Sequence, residues 1–392
     1  MLFSFAMMIL VGVVFAMIMR KVGLPNLLGY LLTGIILGPF VFNVIDTITF
    51  QISSDIRQIA LMIILMRAGL NLQISDLKKV GSSALLMCFV PASFEILGLM
   101  ILAPTFLHLD LLNAAILGTV LAAVSPAVVV PLMLRLMDEG YGTKEGIPQL
   151  IMAGASMDDV YVIVLFTSLL TLAKSGEFNA LSLLRIPTSI LFGIVSGIVL
   201  GYVLCKLYRL LKLPTGIELA GMFAIGMVLI TIERIMTGMI GFSGLLAIMA
   251  LTATIRHIKP EMVDKYSAVL AKLWQPAEIF LFALVGASVR IDYALSFGPV
   301  VLVVIILALV FRMLGVYLSI MKTKLNMKER IFTMGAYLPK ATVQAAIGGL
   351  ALEAGLASGE LILTAAVTAI LFTAPLGAIF ISLTYRNFLQ KV

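Results

Sequence analysis

Long apolar runs constrain this chain more than any other feature of its sequence. Thirteen are readable in its 392 residues, near 1–19, 26–43, 56–72, 80–105, 111–136, 148–173, 186–208, 214–234, 236–256, 272–290, 296–320, 328–354 and 359–385. Each is about 17–26 residues long, the helix length that crosses a hydrocarbon core of ~30 Å. Hydrophobic residues make up 61% of the chain and charged residues 12%, where a soluble domain would carry about 25% charged. Mean hydropathy is +1.15. A membrane β-barrel would instead alternate apolar and polar residues in short segments. The expectation is an all-α polytopic membrane protein of 13 transmembrane helices, whose short connections leave no room for a separate soluble domain. The first run starts at Met1 with no basic region before it, so no cleavable signal peptide is expected.

The net charge of +7 raises the question of a nucleic-acid partner. The placement of the charges answers it. Nineteen of the 27 Lys and Arg residues fall on one alternate set of connections and the C-terminus, Lys78 and Lys79 among them, and five on the other set, Arg185 and Arg234 among them. That asymmetry is the positive-inside pattern of a membrane protein. It places the N-terminus outside and the C-terminus in the cytoplasm, and it supports an odd number of spans. Cys88 and Cys205 lie in apolar runs, and His108 and His257 near span ends, without metal-ligand or disulfide spacing. The 23 methionines are unclustered and read as packing, not as a soft-metal path.

Three basic residues, Arg67, Arg312 and Lys340, and four acids, Glu95, Asp158, Asp159 and Glu278, remain inside the runs. Each charge at mid-membrane costs about 2.5–3.5 kcal/mol on insertion scales, so such residues pair or line a wet cavity. Lys272 and Pro276 suggest a helix start that puts Glu278 at a span edge, and Arg67 is assigned no transport role. Gly286 and Gly315 suit close helix approach.

Two runs are interrupted. VSPAVVVP (124–131) carries Pro126 and Pro131, and YLPKATVQAAIGG (337–349) carries Pro339, Gly348 and Gly349. Proline removes a donor and clashes with the preceding turn. The breaks fall in the middle spans of two triplets, at 80–173 and 296–385. The triplets are offset by seven spans, an odd number, and so have opposite orientation. This is the arrangement of an inverted repeat whose broken helices cross at the midplane and build an ion site, with freed carbonyls available to cations.

Asp158 and Asp159 point about 100° apart on a helix, so they need different partners. Arg312 in LVFRMLG (309–315) is the best partner for one of them, and Lys340 suits Glu95 or the half-helix dipoles. The other aspartate faces the breaks. A carboxylate is a hard oxygen ligand suited to Na⁺ or Li⁺, and low-dielectric surroundings disfavour its bare charge. A site that takes either one proton or one metal cation exchanges them.

The stretches VSPAVVVP (124–131), GYGTKEGIPQLIMAGASMDD (140–159), LVFRMLG (309–315) and LPKATVQAAIGG (338–349) resemble the monovalent cation:proton antiporters of the NhaA/NapA fold. Among these, the chain looks like the bacterial relatives of the animal NHA-type Na⁺(Li⁺)/H⁺ exchangers, and the resemblance spans essentially its whole length. It implies that Asp159 binds Na⁺ or Li⁺ and exchanges protons, that Asp158 pairs with Arg312, and that Glu95 (in VPASFEILG, 90–98) pairs with Lys340. Ser125, Ser156 and carbonyls near 124–127 are candidate further ligands. It also implies a core domain moving against a dimerisation domain, with 1–43 and 186–290 holding scaffold helices. A homodimer in the bacterial inner membrane and no cofactor are expected. Electrogenic members carry lysine at the position of Arg312. Arginine does not release its proton, so one proton per cation and electroneutral transport are expected.

Two other classes share part of this pattern. An organic-anion or bile-acid-like carrier on the same fold needs no buried acid pair. A K⁺/H⁺ exchanger or K⁺ efflux system usually appends nucleotide-binding domains, though ligand placement rather than sequence decides K⁺ selectivity. An enzyme is not expected, since the chain has no nucleophile–base pair, metal-ligand cluster or phosphate loop.

Overall fold

Helix ends in this chain follow its prolines, glycines and short polar side chains. The structure is a computed structural model that describes residues 1–71, 82–175, 185–236 and 242–391. In chain order the helices are α1 (Leu2–Lys21), α2 (Asn26–Leu37), α3 (Thr47–Gln51), α4 (Ser53–Asn71), α5 (Ser82–Met87), α6 (Val90–Leu107), α7 (Leu111–Ala122), α8 (Pro126–Asp138) and α9 (Ile147–Ser175). They continue as α10 (Arg185–Leu211), α11 (Thr215–Met236), α12 (Gly244–Ile258), α13 (Val263–Ala287), α14 (Ile291–Ile320), α15 (Met327–Ala336), α16 (Thr342–Ile347), α17 (Leu350–Glu353) and α18 (Gly359–Phe388). Among the described residues the sole strand-like pairing is an isolated bridge between Tyr141 and Lys391. Nine stretches among the described residues are long and apolar enough to cross a membrane, and α2 and α12 are shorter apolar helices. Large apolar side chains such as Leu10, Val199 and Ile306 are exposed, as a lipid-facing surface requires. The protein is an all-helical, multi-pass membrane protein.

Each apolar run carries helix, but several boundaries differ from expectation. Pro131 does not break its helix, because α8 runs unbroken from Pro126 to Asp138. The interruption lies just upstream, at residues 123–125. Pro126 takes the first helical position, where its missing N–H costs nothing, and Ser125 before it is extended with φ −86° and ψ 110°. Likewise Pro276 starts no helix: α13 begins at Val263 and passes through it. Glu278 therefore sits inside a helix and not at its edge. The run expected to end at 234 also ends later, since α11 runs to Met236. Lys78 and Lys79 lie outside the described residues, as do the side chains of Arg185 and Arg234.

Contacts divide the chain into two units. The first comprises Met1–Ser54, Gln73–Ile163 and Ile279–Val392, and the second Asp55–Leu72 and Val164–Glu278. In the second, α12 packs along both α10 and α11. A β-carbon at Gly197 or Gly201 on α10 would run into the carbonyls of Ala247 and Leu251 on α12, so glycine sets that close approach. In the first unit α1 packs on α2, and Gly286 meets the backbone at Leu31. There α6 lies against both α7 and α14, and α18 contacts α7, α8 and α14 through α17.

The α6–α14 contact positions the charged site. Gly98 admits the ring of Phe311, and Gly315 lies against Pro91 and the Val90 carbonyl. Glu95 and Arg312 sit between these two approaches. Gly315→Val would push the helices apart and is expected to cost about 1–3 kcal/mol by overpacking. Thermal unfolding in detergent measures it, and an unchanged midpoint would contradict the packing argument.

Candidate functional site

Two broken helices meet inside the first unit. The α7–α8 break runs through Ala123 to Ser125, and the α15–α16 break spans Tyr337 to Ala341. Pro339 sits at the centre of the second break and lacks the N–H that a continuous helix needs there. Its carbonyl accepts the Ser125 amide at 2.7 Å, which ties one break to the other. The hydroxyls of Ser125 and Thr342 lie 3.3 Å apart across the crossing. Helix α18 backs the second break: Thr373 Oγ1 accepts the Lys340 amide at 3.0 Å, and Gly377 leaves room for the Pro339 ring.

Breaking α7 leaves carbonyls without helical donors, and side chains of the other half take them up. Lys340 donates to the Leu121 carbonyl and Arg312 to that of Ala122. Gln344 Nε2 donates to Ala123 O at 2.8 Å. The Ser125 carbonyl accepts the Val128 and Val129 amides of its own helix. Positive groups at a helix C-terminus also meet the negative end of its dipole. Of the carbonyls near 124–127, that of Ser125 thus already accepts two amides of its own helix.

Four buried charges surround this end. Arg312 Nη2 lies 2.8 Å from Asp158 Oδ2, and Arg312 Nη1 lies 2.9 Å from Glu95 Oε2. Lys340 Nζ is 2.7 Å from Glu95 Oε1. Asp158 Oδ2 also accepts the Val124 amide at 3.0 Å, at the first break. Arg312 bridges both acids, so what the sequence presents as two separate pairs is one network. Its two positive and two negative charges cancel as a set. All four side chains are buried to within 1%, and burial of charge is tolerable only with such pairing.

Asp159 stands outside this network. It is 6% exposed, and its Oδ1 has no hydrogen-bond partner among the described residues. The charges acting on it most strongly are those of Asp158 and Arg312. Asp158 Oδ1 and Gln344 Oε1 are likewise buried without a partner. Ser125 is buried at the crossing, whereas Ser156 lies on α9 with its side chain outside the described residues. Among the described residues no group of three or more His, Cys, Asp or Glu side chains is placed to hold a metal ion.

Three contributors had weak signals in the sequence. Tyr337 offers its carbonyl to Arg312 Nε at 2.8 Å, with its ring centroid 5.3 Å from the guanidinium carbon; an aromatic residue beside LPK was the cue. Gln344 and Thr342 are polar residues in an apolar run, the pattern that marked the buried charges.

Fold and site together define a polytopic helical membrane protein whose two broken helices cross at a buried network of charges. Residues 6–386 match the family described as "Sodium/hydrogen exchanger, transmembrane". The chain is similar to sodium/hydrogen exchanger 9B2 of Pongo abelii, at 37% identity covering 94% of this chain and 70% of the relative. It is also similar to sodium/hydrogen exchanger 9B2 of Homo sapiens, at 36% identity over the same shares. Its fold is like that of the sodium proton antiporter MjNhaP1 from Methanocaldococcus jannaschii. That match has a TM-score of 0.81 and 20% identity, covering 98% of this chain and 97% of the other. The chain belongs to the sodium/hydrogen exchanger transmembrane family.

Proposed function

We propose that this protein is a secondary active Na⁺(Li⁺)/H⁺ antiporter in which a proton and a metal cation compete for Asp159. The observation that carries this reading is the contrast between two adjacent acids. Asp158 is neutralised by Arg312, while Asp159 is buried beside a charge-balanced network with one oxygen unpartnered among the described residues. A bare carboxylate in such surroundings is costly, so it takes a proton or a cation, one at a time. Asp159 is the binding and exchange carboxylate, with Asp158 beside it. Arg312 is the ion-pair partner, Glu95–Lys340 completes the network, and Ser125 and Ser156 are further candidate ligands. Arginine keeps its proton, so one proton moves per cation and transport is electroneutral. The names of the family and its relatives support Na⁺ as substrate.

The transport cycle is alternating access. In it a core built from two inverted triplets, 80–173 and 296–385, moves against scaffold helices from 1–43 and 186–290 that also form a homodimer. The chain crosses a cell membrane 13 times, with its N-terminus outside and its C-terminus in the cytoplasm.

Proteoliposomes with a lumenal pH dye test the reading. An inward Na⁺ gradient is expected to make the lumen alkaline in wild type, at a rate unaffected by clamping the potential to zero. Silence with Na⁺, Li⁺ and K⁺ alike would overturn antiport. A Na⁺-driven current that scales with turnover would overturn the one-to-one stoichiometry.

A further inference from the structure

Tyr337 closes α15 at the entry to the second break. It is fully buried and among the largest such side chains of the protein. Its backbone carbonyl and its ring both engage Arg312. Its hydroxyl donates to the Met87 carbonyl at 3.2 Å, where α5 ends. The hydroxyl also lies against α9, because a methyl group on Gly154 would overlap it. Gly154 precedes Asp158 by four residues, one helical turn. Tyr337 thus packs against both the guanidinium and the helix that carries both aspartates. The ionisable groups acting on it are Asp158, Arg312, Cys88 and Asp159. Those acting most strongly on the guanidinium are Asp158, Glu95 and Tyr337, and Lys340 answers chiefly to Glu95, Arg312 and Asp158.

We propose that Tyr337 is a positioning residue of the exchange site: it holds the Arg312 guanidinium on Asp158 and Glu95 and so keeps it off Asp159. The inference rests on the reading of Asp159 as the exchange carboxylate. The guanidinium is a rigid plane with five N–H donors. Its Nε edge is fixed by the Tyr337 carbonyl and its plane by the Tyr337 ring, which leaves Nη1 for Glu95 and Nη2 for Asp158. Arginine has several rotatable bonds, and without the ring only the hydrogen bonds to the Tyr337 and Ala122 carbonyls, Glu95 and Asp158 oppose a turn of the plane toward the neighbouring carboxylate. A guanidinium on Asp159 competes with both transported ions: it repels the metal cation and favours the charged acid over the protonated one.

The experiment measures Na⁺-driven exchange in proteoliposomes across pH and Na⁺ concentration. Tyr337→Leu is expected to raise the apparent KM for Na⁺ about tenfold and to move the pH–activity profile about one unit toward acid. Tyr337→Phe keeps ring and carbonyl and is expected to restore both. Gly154→Ala presses on the hydroxyl end and is expected to give a smaller shift in the same direction. A Tyr337→Leu protein with wild-type thermal stability, KM and pH profile, reduced only in maximal rate, overturns the proposal. If Tyr337→Leu does not fold, Gly154→Ala decides: shifts in both readouts support the proposal, and wild-type KM and pH profile overturn it. Exchange retained in Asp159→Asn brings down the exchange-site reading itself. Exchange lost in Asp159→Asn together with unmoved Tyr337 and Gly154 profiles brings down this inference alone.

Discussion

Asp159→Asn is expected to reduce Na⁺-coupled proton movement to the background of empty liposomes while leaving the folded protein at least as stable as wild type. Both halves follow from the surroundings of this side chain. Its Oδ1 is buried without a hydrogen-bond partner among the described residues, and the neighbouring positive charges are committed to Glu95 and Asp158. The amide keeps the size of the acid and removes the burden of a lone buried charge. It also cannot take up or release a proton at any accessible pH. Asp158→Asn makes the opposite case one residue away. It deprives Arg312 Nη2 and the Val124 amide of their anion, and breaking a buried pair from one side costs about 3–5 kcal/mol. Thermal unfolding in detergent separates the two. A large loss of stability in Asp159→Asn, or residual saturable exchange, would contradict the assignment of the free acid.

The second large effect is on folding. Arg312→Leu strands Asp158, leaves Glu95 to Lys340 alone and frees the carbonyls of Ala122 and Tyr337. Leucine replaces the volume of the stem but none of these donors. The loss is expected to exceed that of any other single substitution at the site, on the order of 3–5 kcal/mol or more, and to appear as low yield and a collapsed unfolding midpoint. Because most of that cost lies in the abandoned Asp158 anion, combining Arg312→Leu with Asp158→Asn is expected to recover part of the stability. A double variant as unstable as the sum of its parts would show that the carboxylate is not what suffers. The non-additive outcome is the signature of direct contact.

These contrasts show which parts of the site were legible in the sequence. Buried charges stand out in an apolar run because each one is expensive, so Glu95, Asp158, Asp159, Arg312 and Lys340 were all visible. The two breaks were visible because proline cannot continue a hydrogen-bond ladder. Position was harder. Pro126 moved its break upstream by becoming a first helical residue, and Pro131 and Pro276 were absorbed inside helices, because a proline's effect depends on what its neighbours supply. The link from Arg312 to Glu95 had no sequence signature, since it exists only once α6 and α14 come together on Gly98 and Gly315. The carbonyl acceptors were beyond reach for the same reason: a backbone oxygen carries no residue identity.

The crossing itself has a mechanical consequence. The stumps of two severed helices are joined by the Ser125 amide on Pro339 and by Lys340 and Gln344 on the end of α7, while Arg312 of α14 fastens to both stumps. Breaks in a helix ordinarily make soft points, yet here each one is riveted to the other through short polar bonds of fully buried side chains. Force applied to either half is shared across the joint, and the weakest place in each helix, taken singly, becomes the stiffest place in the pair.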